Sequence, residues 1–211
     1  MNRLARLTPL TGLIFAVLAM VSTVVGPTGP NAKSSGARVI SFYSAHRSGE
    51  RAAAVLGTLA IVFLIFFAGF LYQRIRETDS RALGVVGLVG AGLLGAGMTI
   101  SGSIAWTLTD GPAHYSAASA QALNALAYDT FLPIVAGVIV FAAATGIAVV
   151  REGWLPAWFG WVLIAFGLIT PSPALPVGLI GVVAWSAVVA IMMFARSNRT
   201  AATPTRVSIA G

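Results

Sequence analysis

The sequence predicts an all-α polytopic membrane protein, a bundle of six transmembrane helices, and two observations support that prediction. The first is composition: 57% of the 211 residues are hydrophobic and only 9% are charged, whereas roughly a quarter of the residues in an ordinary globular domain are charged. The second is the length of the charge-free runs, because a helix needs about 20 apolar residues to cross a bilayer core of about 30 Å. The mean hydropathy of +0.88 agrees with both.

Five charge-free runs follow one another along the chain, and the last is broken by the prolines of TPSPALP at Thr170–Pro176. Proline lacks a donor N–H and disfavours helix in the preceding residue, so this run is divided into two spans. The predicted spans are approximately 8–25, 52–72, 82–107, 131–150, 154–170 and 176–195. Residues 1–196 then form one transmembrane domain, and the polar residues 197–211 form a tail predicted to be disordered.

The basic residues predict that both termini lie in the cytoplasm, because Arg and Lys are enriched in cytoplasmic loops. In this orientation nine arginines fall inside, and four basic residues fall outside, all in the first outer loop: Lys33, Arg38, Arg47 and Arg51. The first run also resembles a secretory signal, but no clean small-x-small cleavage site follows it, so we interpret it as an uncleaved span. The excess of Arg over Lys, with abundant Ala, Gly and Val, indicates a GC-rich bacterial genome. The predicted location is therefore a bacterial cell membrane.

Small residues recur every four positions along the third predicted span: Gly87, Ala91, Gly95, Thr99 and Ser103. They would share one helix face, and small side chains let helix backbones approach closely in lipid. The alternative is a pathway lined by the hydroxyl groups, but hydroxyls in membrane helices usually bond to carbonyls of their own helix. We therefore predict helix packing for this stripe, including packing between copies of the chain.

Several kinds of chemistry are disfavoured by the sequence. No ionisable residue lies deep in a predicted span, which argues against a proton-coupled transporter. His46, His114, Asp110 and Asp129 come from separate loops without zinc-ligand spacing, so neither a metal nor another cofactor is predicted. The chain has no cysteine and no GxSxG turn, so no catalytic residue is predicted. The net charge of +7 follows from the loop arginines, and no basic run with interleaved aromatics indicates nucleic-acid binding.

Two segments on the outer side are predicted to be helical and to meet in a polar cap. They are ISFYSAHRSGE before the second span and SAASAQALNALAYDTFLP before the fourth. We predict that Arg47 or Arg51 pairs with Asp129, because a carboxylate at a membrane boundary costs less free energy when it is paired. The candidate ligand-binding residues are those of this outer polar cluster: Tyr43, His46, Arg47, Arg51, Tyr128 and Asp129. A structural cap is the alternative that the sequence favours.

Three phrases carry a resemblance to a known group of proteins: FYSAHRSGERAAAVLG before the second span, FLYQRIR at its end and REGWLPAWFGW at the start of the fifth. Together they resemble a broad group of uncharacterised six-span membrane proteins from GC-rich bacteria. The resemblance covers most of the chain, from the first span to the sixth. It implies the six-span topology, and it implies no activity, cofactor or partner.

The sequence therefore favours a non-enzymatic accessory, sensory or assembly component of the lipid bilayer, acting as a homo-oligomer or with another membrane protein. The main alternative is a small permease or binding protein for a lipid or other apolar ligand, with the polar cap as its mouth. A third possibility is an outward-facing membrane enzyme that uses His46 or Asp129 as acid or base.

Overall fold

The computed structural model of the protein describes residues 7–172 and 175–202. Every regular element in these ranges is helical, so the predicted all-α fold class is confirmed. A one-turn 3-10 helix spans Pro112–His114. The α-helices are α1 (Leu10–Val25), α2 (Gly36–Ala45), α3 (Arg47–Ile75), α4 (Arg81–Asp110), α5 (Ala117–Asp129), α6 (Phe131–Glu152), α7 (Ala157–Ile169) and α8 (Leu175–Ala202). Most of the predicted tail, residues 203–211, lies outside the described residues.

Four helical segments are long and apolar enough to cross a membrane: Arg47–Ile75, Arg81–Asp110, Ala117–Glu152 and Leu175–Ser197. The fold therefore fits a helical membrane protein. Helices α1 and α7 are apolar but shorter, with 16 and 13 residues. A helix of 13 residues is about 20 Å long, short of a hydrocarbon core of about 30 Å. The predicted number of six spans is consequently not confirmed.

Helices α4 and α6 pack antiparallel at very short range. A Cβ added at Gly90 would collide with the backbone of Phe141, and one added at Gly137 would collide with the backbone of Leu94. Small side chains at these positions let the two backbones meet, which is how helices associate in lipid, where apolar burial alone contributes little. Around this contact lies the main core, which includes the fully buried Leu64 and Phe67 of α3 and Leu163 of α7.

The stripe predicted for packing lies beside this contact, and its glycines face other helices of the same chain. A Cβ on Gly87 would lie 3.0 Å from Thr145 Oγ1 of α6, and one on Gly95 would lie 2.8 Å from Ile61 Cγ2 of α3. Ala91 is fully buried. The hydroxyls at the end of the stripe donate to their own helix, Thr99 Oγ1 to the carbonyl of Gly95 and Ser103 Oγ to that of Thr99, both at 2.8 Å.

Helices α7 and α8 form a hairpin that ends partway along the bundle. Gly160 of α7 lies against Gly146 of α6, and Gly167 lies against Ala142, close to the backbone of Ile139. Beyond that contact α6 continues to Phe131, a further length of about 12 Å. The turn after α7 therefore lies beside the middle of the bundle and short of the end at which α6 begins.

The cap, which we define as residues 26–45 with α5, covers that end of the bundle. Val39 and Tyr43 of α2 form a small buried cluster with Leu108 of α4 and Ala120 of α5. Both predicted outer segments are thus helical, but the first is interrupted at His46, where φ is −113° and ψ is 23°. This interruption separates Tyr43 from the helix that carries the arginines.

Candidate functional site

Two arginines of α3 converge on one carboxylate at the C-terminus of α4. Arg51 Nη2 donates to Asp110 Oδ1 at 2.6 Å, and Arg51 Nε donates to Thr109 Oγ1 at 3.3 Å. Arg47 Nη2 donates to the backbone carbonyl of Asp110 at 3.0 Å and lies 4.0 Å from its carboxylate. The guanidinium of Arg51 also lies over the ring of Trp106, 5.1 Å from the ring centroid, a geometry that favours a cation–π contact.

The predicted pairing of Arg47 or Arg51 with Asp129 is wrong. Asp129 ends α5 just before α6, and the first turn of α6 at Ile134 packs beside Gly97. Gly97 precedes Asp110 by about three and a half helical turns, so Asp129 lies too far along the bundle from the arginines. The short connection between α3 and α4 makes these two helices antiparallel neighbours. That neighbourhood alone brings the start of α3 to the end of α4, and it could have indicated Asp110 from the sequence.

The remaining predicted site residues differ in burial: Tyr43 is buried, whereas His46, Tyr128 and Asp129 are exposed. Tyr43 is buried, and its burial is the main reason that its pKa is raised to about 12; the negative charges of Glu50 and Tyr128 add to the effect. His46 is exposed, and its Nδ1 lies 3.0 Å from the carbonyl oxygen of Phe42. The ring centroids of His46 and Phe42 are 4.6 Å apart. Tyr128 and Asp129 are both exposed.

An open groove of about 420 Å³ runs between α3 and α4 and is lined by Trp106, the ring over which the guanidinium of Arg51 lies. We call it the α3–α4 groove. Its apolar wall includes Ala54, Val55, Leu59 and Gly102. Its three hydroxyl groups donate to carbonyls of their own helices at 2.8 to 2.9 Å, so they are already satisfied: Thr58, Ser103 and Thr107.

A second space, which we call the interhelical cavity, lies on the other side of the α3–α4 pair and measures about 390 Å³. It is lined by α1, α3, α4, α6 and α8, and the first residues of α8, Leu175 and Pro176, form its floor. Nearly all of its wall is hydrocarbon. Its two hydroxyls, on Ser22 and Thr23, donate to the carbonyls of Ala19 and Met20 at 2.8 and 2.7 Å. The described lining residues therefore offer a ligand an apolar surface without a free side-chain donor.

No cluster of three or more His, Cys, Asp or Glu residues suited to a metal ion occurs within residues 7–172 and 175–202. The polar groups near the cap instead form ion pairs and local hydrogen bonds. Taken together, the geometry defines a helical protein of membrane-spanning composition with a laterally open apolar cavity and an amphipathic groove. Comparison of the chain with protein-family models, with curated proteins and with solved structures finds no match in any of the three.

Proposed function

We propose that the protein is a multi-pass protein of the bacterial cell membrane that binds a lipid acyl chain in the interhelical cavity. The observation behind this proposal is the lining, which is apolar and whose hydroxyls are already bonded within α1. A buried water needs two to four polar partners, and this wall supplies few. A hydrocarbon chain needs none, so it is the occupant that fits the wall.

The cavity exists because the α7–α8 hairpin is short. A longer hairpin would place side chains where Leu175 and Pro176 now form the floor. An empty space of this size would forfeit dispersion contacts along its whole wall. A lipid tail restores them, and in a bilayer it is the most abundant apolar group at hand.

A route into the cavity lies at its lateral edge. Met20 of α1 and Ile180 of α8 line the cavity and are 44% and 53% exposed. In a bilayer these exposed faces contact lipid tails. A chain can therefore enter sideways, between α1 and α8, without crossing the polar cap.

The topology that goes with this proposal has both termini in the cytoplasm and the cap outside, and it is supported by the distribution of arginines. This orientation does not depend on how deeply the α7–α8 hairpin enters the membrane. Arg196 Nη1 donates to the carbonyl of Trp154 at 2.6 Å, so the hairpin begins and ends at the same end of the bundle. The six-span arrangement and a half-inserted hairpin therefore place the C-terminus on the same side.

The experiment that tests this proposal fills the cavity with an added side chain. Gly57 lines it, and a Cβ at Gly57 would have nothing within 4 Å, so Gly57→Leu adds a side chain to the space without a backbone clash. Gly69 lies on the same helix, outside the cavity, with equally open surroundings. Gly69→Leu is thus a matched control that gains the same helix propensity.

The probe is a phospholipid with a diazirine in the middle of one acyl chain, photolysed in nanodiscs with the purified full chain. We expect cross-links to the peptides that contain Met98 and Leu179, reduced several-fold by Gly57→Leu and unchanged by Gly69→Leu. Cross-links at these peptides that persist undiminished in Gly57→Leu would refute binding in the cavity. Their absence from the unaltered protein would refute it equally.

The accessory or assembly role favoured by the sequence stays a prediction. Gly87 and Gly95 already contact α6 and α3 of their own chain. An association between copies would therefore have to use another face of α4, such as the exposed side that carries Val85 and Val89.

A further inference from the structure

We propose that the α3–α4 groove, together with Arg47 and Arg51, forms a binding site for an anionic phospholipid, distinct from the interhelical cavity. Within the part of the chain that the structure describes, no residue lines both spaces. The cavity faces α1, α6 and α8, whereas the groove opens on the opposite side of the α3–α4 pair. The inference therefore goes beyond the proposed function and can fail independently of it.

The polar end of the groove carries several hydrogen-bond donors. A guanidinium has five N–H groups, and the two arginines together direct only a few of theirs at Asp110 and Thr109. Within the described residues the other donors of Arg47 have no partner, and its side chain is 50% exposed. Trp106, 42% exposed, adds an indole N–H at the same level.

The charge at this end favours an anion. Two guanidinium groups converge on one carboxylate, Asp110, so the cluster carries one positive charge in excess. A second carboxylate, that of Glu50, lies in the first turn of α3. It is half-buried, and its electrostatic neighbours are Tyr43 and His46. A phosphodiester would accept hydrogen bonds from the arginine donors, and guanidinium groups suit phosphate in charge and geometry.

The rest of the groove suits an acyl chain. Its hydroxyls are bonded within their own helices, so the wall below Trp106 offers hydrocarbon to a ligand. Arg51 stands immediately before the charge-free run that begins at Ala52. A bound phospholipid would thus have its phosphate at the membrane boundary and one chain along α3 and α4. Tryptophan is itself favoured at such boundaries.

Two pairs of variants test the site, each with a matched control. Gly102→Leu fills the groove, because Gly102 lines it and an added Cβ meets nothing within 4 Å; Gly92→Leu places the same side chain elsewhere on α4 in equally open surroundings. Arg47→Gln removes a cation of the site, and Arg38→Gln removes an exposed cation of the cap outside it.

The measurement is native mass spectrometry of the full chain in detergent, with phosphatidylglycerol and phosphatidylcholine of identical acyl chains as competing probes. We expect the unaltered protein to prefer phosphatidylglycerol, and Arg47→Gln to lower that preference about fivefold, the effect of one basic residue near an anionic lipid surface. Gly102→Leu should abolish the preference. Gly92→Leu, Arg38→Gln and the cavity variant Gly57→Leu should leave it intact.

Three results would overturn the inference. The first is a phosphatidylglycerol preference that survives Gly102→Leu and Arg47→Gln. The second is a preference lost in Gly57→Leu but retained in Gly102→Leu, because the lipid would then lie in the cavity. The third is a dimer that Gly102→Leu dissociates while lipid binding is unaffected, because the groove would then hold a second copy of the chain.

Discussion

Arg51 Nη2 lies 2.6 Å from Asp110 Oδ1, and this ion pair joins the N-terminal part of α3 to the last residue of α4. The Arg51 side chain is 30% exposed and that of Asp110 is 71% exposed. Solvent screening limits such a pair to at most about 1 kcal/mol. The contact therefore fixes how two helix ends meet more than it stabilises the fold.

The first prediction follows from this pair. Asp110→Asn should lower the free energy of unfolding by at most about 1 kcal/mol, and the charge swap Arg51→Asp with Asp110→Arg should recover part of the loss from either single change. Asp129→Asn should have no effect, because Asp129 has no ion pair among residues 7–172 and 175–202. Thermal unfolding in detergent, followed by circular dichroism, measures all of these variants. A larger effect at Asp129 than at Asp110 would contradict the ion pair seen here.

The second prediction concerns pH. The pKa of Tyr43 is raised from 10.0 to about 12, mainly by burial, so the unfolded chain loses this proton before the folded chain does. The resulting stability is present below pH 10 and is lost as the pH rises from 10 towards 12, by an amount on the order of 2 kcal/mol. Unfolding measured between pH 9 and pH 12 should show this decline. Tyr43→Phe should remove it, whereas Tyr128→Phe, at a 48% exposed position, should retain most of it; equal slopes in all three proteins would disprove the assignment.

The third prediction concerns how the cap is held. Asn124 is 2% exposed, and its Nδ2 donates to the carbonyl of Asn31 at 2.9 Å. Asn124→Ala removes one of that carbonyl's two donors, because the N–H of Ser34 still donates to it at 3.0 Å. The change should cost roughly 0.5–1.5 kcal/mol and should accelerate hydrogen exchange across residues 26–35. Gln121→Ala, at an exposed position of the same helix, should leave exchange there unchanged. Unchanged exchange in Asn124→Ala would show that this hydrogen bond does not hold the segment.

The fourth prediction concerns the α4–α6 contact. A methyl group added at Gly137 would meet the backbone of Leu94, whereas one added at Gly69 would meet nothing within 4 Å. Gly137→Ala should therefore destabilise the protein by roughly 1–3 kcal/mol, as overpacking does. Gly69→Ala should be neutral or slightly stabilising because alanine favours helix. Thermal unfolding distinguishes the two variants. Equal unfolding midpoints would mean that α4 and α6 can separate without a loss of folding free energy.

The fifth prediction concerns the depth of the α7–α8 hairpin. The chain has no cysteine, so a Ser172→Cys variant reports on the turn and a Ser35→Cys variant reports on the cap. A charged, membrane-impermeant maleimide added outside should label Ser172→Cys much more slowly than Ser35→Cys, because the turn lies beside the middle of α6. Equal rates would show that the hairpin reaches the outer surface, as two full spans require.

The sequence by itself predicted the long apolar helices, although not the interruption at His46. Long charge-free runs, the prolines of TPSPALP and the polar phrases before α3 and α6 are local signals, and helix formation responds to local signals. The tertiary structure alone decided that Arg51 pairs with Asp110 and not with Asp129, that Gly87 and Gly95 are used within the chain, and that a short hairpin leaves an apolar cavity. The physical reason is that these features depend on which helices are neighbours, how each is rotated and how far each extends along the bundle. Residues distant in sequence set those relations, so the hydrophobic periodicity of one helix does not predict them.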